Sequence, residues 1–186
     1  TILWAPDRVP AGMVCDKITA TIDVLPTFAR LAGTAAPGDR VIDGVDIRHL
    51  LAGRFAEADD NRVFHYYFIN SLQAVRQGKW KLHLPRPGKP AWLGSFAGNR
   101  HIAPADWSGF EEPYLVDLEV DPGETKSVAA ANPQVVARLM KLAEDAREDI
   151  GDHDRVGKNM RFFDPLKQRP TKPVFPRLAP RKPRKK

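Results

Sequence analysis

Five histidines, one cysteine and two aspartate clusters are the residues of this 186-residue chain whose types suit catalysis or metal binding. The histidines are His49, His65, His83, His101 and His153. No two stand at i, i+4, where successive helical turns aim both imidazoles at one zinc ion, and HExxH is absent. Neither a G-x-S-x-G elbow, nor a P-loop, nor a G-x-G-x-x-G turn occurs. Asp152-His153-Asp154 has the composition of a metal ligand set or an acid–base pair, but it follows a helix stop among other charges and reads as a solvated loop. Asp39, Asp43 and Asp46 are spaced for turns and caps and lack the ligand order of an EF-hand. The lone Cys15 excludes an internal disulfide and a cysteine-rich zinc site, and its type reads as a buried or idle thiol. The residues by themselves assemble no catalytic constellation. What stands out is the stretch 85–113, which carries Trp92, Phe96, Arg100, His101, Trp107 and Phe110 with little periodicity. A loop of that length in a compact domain is functional or disordered, and its aromatic content argues against plain disorder.

The elements that must position these residues are legible from their spacing. Residues 1–4 read as a buried strand closed by Pro6 and the Pro10–Gly12 turn. A helix follows, with Asp23 as N-cap, Pro26 in the first turn and Gly33 as its stop. Leu25, Phe28, Ala29 and Ala32 share one side of it, which predicts a core-facing helix. Ile47, Leu50 and Leu51 predict a short helical turn that ends near Gly53. Residues 63–68 are aromatic and β-branched, the pattern of a strand buried on both faces. Residues 72–76 and 80–84 predict a hairpin about Gly78. In its second arm Trp80, Leu82 and Leu84 alternate with Lys81 and His83, one face apolar and the other polar. Residues 114–118 form the next strand and end in an Asp-Pro-Gly turn. Asn132-Pro133 then opens a helix to about Ile150, with Val136, Leu139, Ala143, Ala146 and Ile150 on one side and Gly151 as the stop. A helix with one apolar face and a doubly buried strand both need partners, so the first strand and helix are expected to belong to something larger.

Size and charge bound the reading further. Hydrophobic residues make up 42% and charged residues 28%, the balance of a globular chain. No apolar run approaches the roughly 20 residues of a membrane helix. The net charge of +6 belongs to one end: residues 167–186 hold nine Lys or Arg, five prolines and no acid, which leaves 20 basic against 23 acidic residues before them. Such a segment cannot build a core and reads as a tail. Its Arg177, Arg181, Lys182, Arg184, Lys185 and Lys186 have the charge to hold phosphates or an anionic polymer by counterion release. That charge supports an alternative reading, in which the chain is a non-catalytic binding module. The chain opens without an initiator Met, inside an apolar run, and reads as a cut end.

Five segments, in order, resemble the C-terminal part of the arylsulfatases, the formylglycine-dependent sulfatases. Ile2-Leu-Trp-Ala-Pro-Asp-Arg-Val-Pro-Ala-Gly12 is similar to the family's "W-P-G-x-I-x-x-G" strand and turn. Asp23-Val-Leu-Pro-Thr-Phe-Ala-Arg-Leu-Ala-Gly33 is similar to its "D-L-L-P-T-L-x-x-L-A-G" helix, and Ile42-Asp-Gly-Val-Asp-Ile-Arg-His-Leu-Leu51 to "D-G-x-D-L-x-P-L-L". The hairpin of residues 72–84 and the turn Tyr114-Leu-Val-Asp-Leu-Glu-Val-Asp-Pro-Gly-Glu-Thr125 complete the series.

The resemblance implies an α+β segment, a small antiparallel sheet packed on a C-terminal helix, as the C-terminal part of an α/β alkaline-phosphatase-like sulfatase fold. It implies three regions: 1–55 as the end of the catalytic α/β domain, 56–155 as a C-terminal subdomain, and 156–186 as a Pro-rich basic tail. In this family an oxidised Cys or Ser of C/S-x-P-S-R attacks the sulfate, and Ca2+ held by Asp and Asn neutralises the sulfate oxygens. Cys15 is followed by Asp16-Lys17-Ile18 and does not match that motif. The calcium ligands and the catalytic Lys and His belong to segments that precede this one in the family, so no catalytic or metal-binding role transfers to any residue here. The family's C-terminal subdomain borders the substrate cleft, which makes stretch 85–113 the expected substrate-side element. Arg100 and His101 are placed to contact a sulfate or sugar hydroxyl, and Trp92 to stack on a ring. The expected partner of the intact enzyme is a sulfate ester, and its expected location is periplasmic or secreted.

Overall fold

The computed structural model describes residues 1–68, 70–85 and 110–160. The chain divides into two compact units, Thr1–Arg62 and Val63–Lys186.

The first unit holds two short α-helices, α1 (Val24–Leu31) and α2 (Arg48–Leu51), each ended by a glycine with left-handed backbone, Gly33 (φ 79°) and Gly53 (φ 78°). Both stops fall where the sequence places them. The polar side of α1 is the buried one. Asp23, Pro26 and Thr27 are buried, whereas Leu25 and Phe28 are more than half exposed. Within this chain the expected core face of Leu25 and Phe28 is thus left uncovered. Hydrogen bonds decide which side is covered: the Thr27 hydroxyl accepts from the Ile47 amide at 3.0 Å, and the Asp23 carboxylate accepts from the Val45 amide at 2.9 Å. Residues 1–4 form no strand, and Ile2 and Trp4 are 96% and 86% exposed. An isolated extended segment has no ladder partner among the described residues, and unpaired it gains nothing from a strand conformation.

The second unit is a four-stranded antiparallel meander, β1 (Val63–Phe68), β2 (Ser71–Gln77), β3 (Trp80–His83) and β4 (Tyr114–Asp117), in the spatial order of the chain. Gly78 (φ 57°) supplies the left-handed residue of the β2–β3 turn. A bulge at Gln73 lets β1 follow β2 past Tyr66 and Tyr67. β1 is the edge of the sheet, and all six of its residues are only partly buried, which corrects the expectation of a doubly buried strand.

Registry fixes the two faces. His65, Val75, Leu82 and Leu115 lie in one transverse row, and Tyr66, Ala74, His83 and Tyr114 in the next. Successive residues point to opposite sides, so the first row faces one way and the second the other. The long helix α3 (Pro133–Asp149) covers the first face, packing Leu139, Ala143 and Ala146 on Leu72, Val75, Leu82, Leu84 and Leu115. Pro133 stands at its first position, where a missing N–H costs nothing.

A small hairpin, β5 (Gly151–Asp152) and β6 (Arg155–Val156), follows α3. The solvated loop expected at Asp152-His153-Asp154 is thus a tethered turn. Its Asp152 is buried, while His153 and Asp154 are exposed. Among the described residues no helix is long and apolar enough to cross a membrane.

Candidate functional site

Period-two alternation brings four polar and aromatic side chains together on the sheet face opposite α3. Lys81 and His83 project there from β3, Tyr66 from β1 and Tyr114 from β4. The turn after β4 reaches back over them. Glu124 brackets the pair, with Oε1 2.5 Å from Lys81 Nζ and Oε2 2.5 Å from His83 Nε2. One carboxylate thus bridges two residues spaced i, i+2 on one strand. Lys81 also stands 4.9 Å over the Tyr66 ring, a cation–π contact. The Tyr114 hydroxyl donates to the Glu124 carbonyl at 3.3 Å. Phe110 packs with His83 and Tyr114, at centroid distances of 5.1 and 4.6 Å.

Burial pushes the Glu124 carboxyl up, but the hydrogen bonds and charges of Lys81 and His83 outweigh it and hold the group below its ordinary value. Glu124 is ionised at neutral pH and acts as an acceptor for two donors, not as a proton source. The sequence places His83 on a polar strand face but contains nothing local that announces Glu124, 41 residues away, as its partner.

Two further carboxylates are buried, and each is already saturated. Asp23 accepts from both terminal nitrogens of Arg62 (2.8 and 2.7 Å) and from the Ala20 and Val45 amides. Asp152 accepts from Arg147 Nε (2.8 Å), the Leu72 amide (3.0 Å) and the His153 amide and ring. In both, burial raises the pKa and the hydrogen bonds more than offset it, so both lie below the ordinary carboxylate range. Asp152, His153 and Asp154 bring ligand atoms within 4.8 Å of one another, but the guanidinium on Asp152 occupies the charge a cation would need. The donor set does not fit a calcium ion and is a structural node. A cleft of about 540 Å³ in the first unit is lined by Arg8, Arg48, His49 and Arg54, with Asp46 and Glu57 already paired to two of these arginines. Cys15 is exposed and free. The proposed substrate contacts Trp92, Arg100 and His101 lie outside the described residues, as do residues 161–186 of the expected basic tail.

The second unit is thus an antiparallel meander with one helix across its inner face and a charged bracket of Lys81, His83 and Glu124 on its outer face. A solved protein in complex with its substrate D-glucosamine-2-N,6-O-disulfate shares this fold, with a TM-score of 0.51 and 21% identity over 76% of this chain and 26% of its own. A family model described as the C-terminal region of aryl-sulfatase matches residues 59–178, and the chain belongs to that family. Among curated relatives, the steryl-sulfatase of Mus musculus is 37% identical over 134 residues, 67% of this chain and 21% of its own length. The N-acetylgalactosamine-6-sulfatase of Canis lupus familiaris is 40% identical over 154 residues, 76% of this chain and 28% of its own. The chain thus spans about a quarter of the relatives it matches.

Proposed function

We propose that the protein carrying this chain hydrolyses sulfate esters to an alcohol and inorganic sulfate, and that this chain supplies its substrate-side scaffold. The observation that carries the reading is the agreement in kind among the relatives: steryl-, aryl- and N-acetylgalactosamine-6-sulfatases all align over most of this chain. In this reading residues 1–55 complete the catalytic α/β domain, residues 56–155 form the subdomain beside the cleft and residues 156–186 are the tail. The intact protein uses a metal ion, which we take to be calcium, neutralising charge on the sulfate. Following the family resemblance, we take the nucleophile and metal ligands to lie in other parts of the protein, and this chain's residues to bind and orient the alcohol moiety.

Residues 85–113 provide those contacts: Arg100 and His101 meet a sulfate or hydroxyl oxygen, and Trp92 stacks on a ring. The test is turnover of an aryl sulfate and of a sulfated monosaccharide by the full-length protein. His101→Ala is expected to lower kcat/KM about tenfold or more, the worth of one charge-assisted hydrogen bond. An unchanged kcat/KM on every ester would remove His101 from the site, and a wild-type protein inert towards all of them would remove the sulfatase reading.

A further inference from the structure

We infer that the cleft of the first unit is a binding site for an organic anion, an oxyanion such as a sulfonate or carboxylate carried on an apolar body. The inference goes beyond the sulfatase reading and does not depend on it.

Positive charge is gathered in this cleft against the composition around it. Residues 1–62 hold nine acidic and seven basic residues. Three of the seven, Arg8, Arg48 and Arg54, line the cleft, but only two of the nine, Asp46 and Glu57. Both acids are committed. Asp46 accepts from Arg48 Nε at 2.9 Å and lies 2.8 Å from its Nη2, and Glu57 accepts from Arg54 Nε at 2.6 Å. Arg8 is left over: among the described residues its guanidinium makes no hydrogen bond or ion pair.

Three local backbone features gather the cations around one space. In the turn of residues 5–9 the Arg8 and Val9 amides both donate to the Ala5 carbonyl, at 3.1 and 2.9 Å, and Asp7 is left-handed (φ 67°). Arg48 opens α2. Arg54 follows the left-handed Gly53, and its amide donates to the His49 carbonyl at 2.9 Å. The carboxylates brace Arg48 and Arg54 through part of each guanidinium. A guanidinium has five N–H donors, so each arginine keeps others to offer. Side chains already braced lose less freedom when a ligand arrives.

The rest of the lining decides the kind of anion. Val9, Leu31 and Leu51 contribute apolar wall, and His49 adds an imidazole. The volume of about 540 Å³ is that of a small-molecule site, far more than one inorganic ion fills. An anion there meets an uncompensated charge and donors held in place, whereas a cation meets net repulsion.

The experiment uses the full-length protein with naphthalene-2-sulfonate as probe, read by hydrogen exchange at residues 5–9 and 48–54. At about ten times its dissociation constant the probe is expected to slow exchange in both segments about tenfold. The neutral 2-naphthol should give no protection, and inorganic sulfate should need about tenfold more for half-protection. Arg8→Gln is expected to raise the half-protection concentration about tenfold, the worth of one charge-assisted hydrogen bond, and Arg8→Lys about threefold. Arg40→Gln removes a surface cation paired with Asp39 outside the cleft and should leave that concentration unchanged. Arg8 is exposed and unpartnered, so both of its variants are expected to unfold at the wild-type temperature. No protection in the wild type, equal protection by 2-naphthol, or an Arg8→Gln curve that matches wild type would overturn the inference. Equal potency of inorganic sulfate would overturn the choice of an organic anion. A shift in Arg40→Gln as large as that in Arg8→Gln would mark general charge attraction and overturn the site. The readout is binding, so a protein that hydrolyses no sulfate ester loses the sulfatase reading and leaves this test intact.

Discussion

Replacing Asp152 by alanine removes the anchor that ties the end of α3 to the sheet. Asp152 is nearly inaccessible, with 2% of its side chain exposed, and it receives four hydrogen bonds. Two of the donors cannot easily turn to water. The Leu72 amide belongs to a residue 1% exposed, and Arg147 is 18% exposed. An orphaned buried N–H costs about 1–3 kcal/mol, and breaking a buried ion pair about 3–5 kcal/mol. Arg147 retains Glu144 at 3.4 Å and some solvent, which puts its share at the low end. His153 is exposed enough to rehydrate. The expected loss is about 3 kcal/mol, a large part of the 5–15 kcal/mol that holds an ordinary domain together. Asp152→Asn keeps an oxygen for the Leu72 amide but loses the charge and turns an NH2 towards Arg147 Nε–H, so a smaller loss of about 2 kcal/mol is expected. Equilibrium urea unfolding followed by circular dichroism, with amide exchange at Leu72, measures both. A loss below about 1 kcal/mol for Asp152→Ala, or no acceleration of exchange at Leu72, would refute the argument that the carboxylate is an anchor.

Acid should weaken the fold through the same groups. Asp23, Asp152 and Glu124 all have folded pKa values below their unfolded ones. Their contribution is complete above the ordinary carboxyl range, near pH 4, and is lost as pH falls through the folded values. Urea midpoints should be flat from about pH 7 to 5 and fall below about pH 4; a fall already complete at pH 5 would contradict the assignment. Gly44→Ala should be among the most damaging single changes in the first unit. A Cβ there would lie 1.9 Å from the Ile22 carbonyl oxygen, in the turn that delivers the Val45 amide to Asp23. A loss of about 3 kcal/mol is expected, since backbone rather than a flexible side chain must give way; wild-type stability in that variant would show that the turn moves freely.

Much of the second unit was legible in the residues. Alternation of Trp80, Leu82 and Leu84 with Lys81 and His83 determined a strand with one apolar face, and Gly78 determined the turn before it. The step of three and four through Leu139, Ala143 and Ala146 determined which side of α3 is buried. These are local rules, since the side-chain period is a property of the backbone itself. The five ordered motifs pointed to the family, and residues 59–178 match its model.

Pairing across distance was not legible. Asp23 was readable as a helix cap, yet its carboxylate turns to Arg62, and Asp152 looked like part of a solvated loop, yet it is sealed against Leu72. Glu124 sits in a turn signature that gives its backbone path but not its partners. An apolar stripe on a helix likewise shows that a face can be buried, not what buries it. In α1 the hydrogen bonds of Thr27 and Asp23 fix the covered side instead, and Leu25 and Phe28 are left exposed. The reason is the same in each case. Backbone periodicity is written in neighbouring residues, whereas a carboxylate's partner depends on which distant donors the register of the sheet and the path of a turn bring within about 3 Å. The residues determined the strands, the helix and the family; the folded chain decided which charges meet.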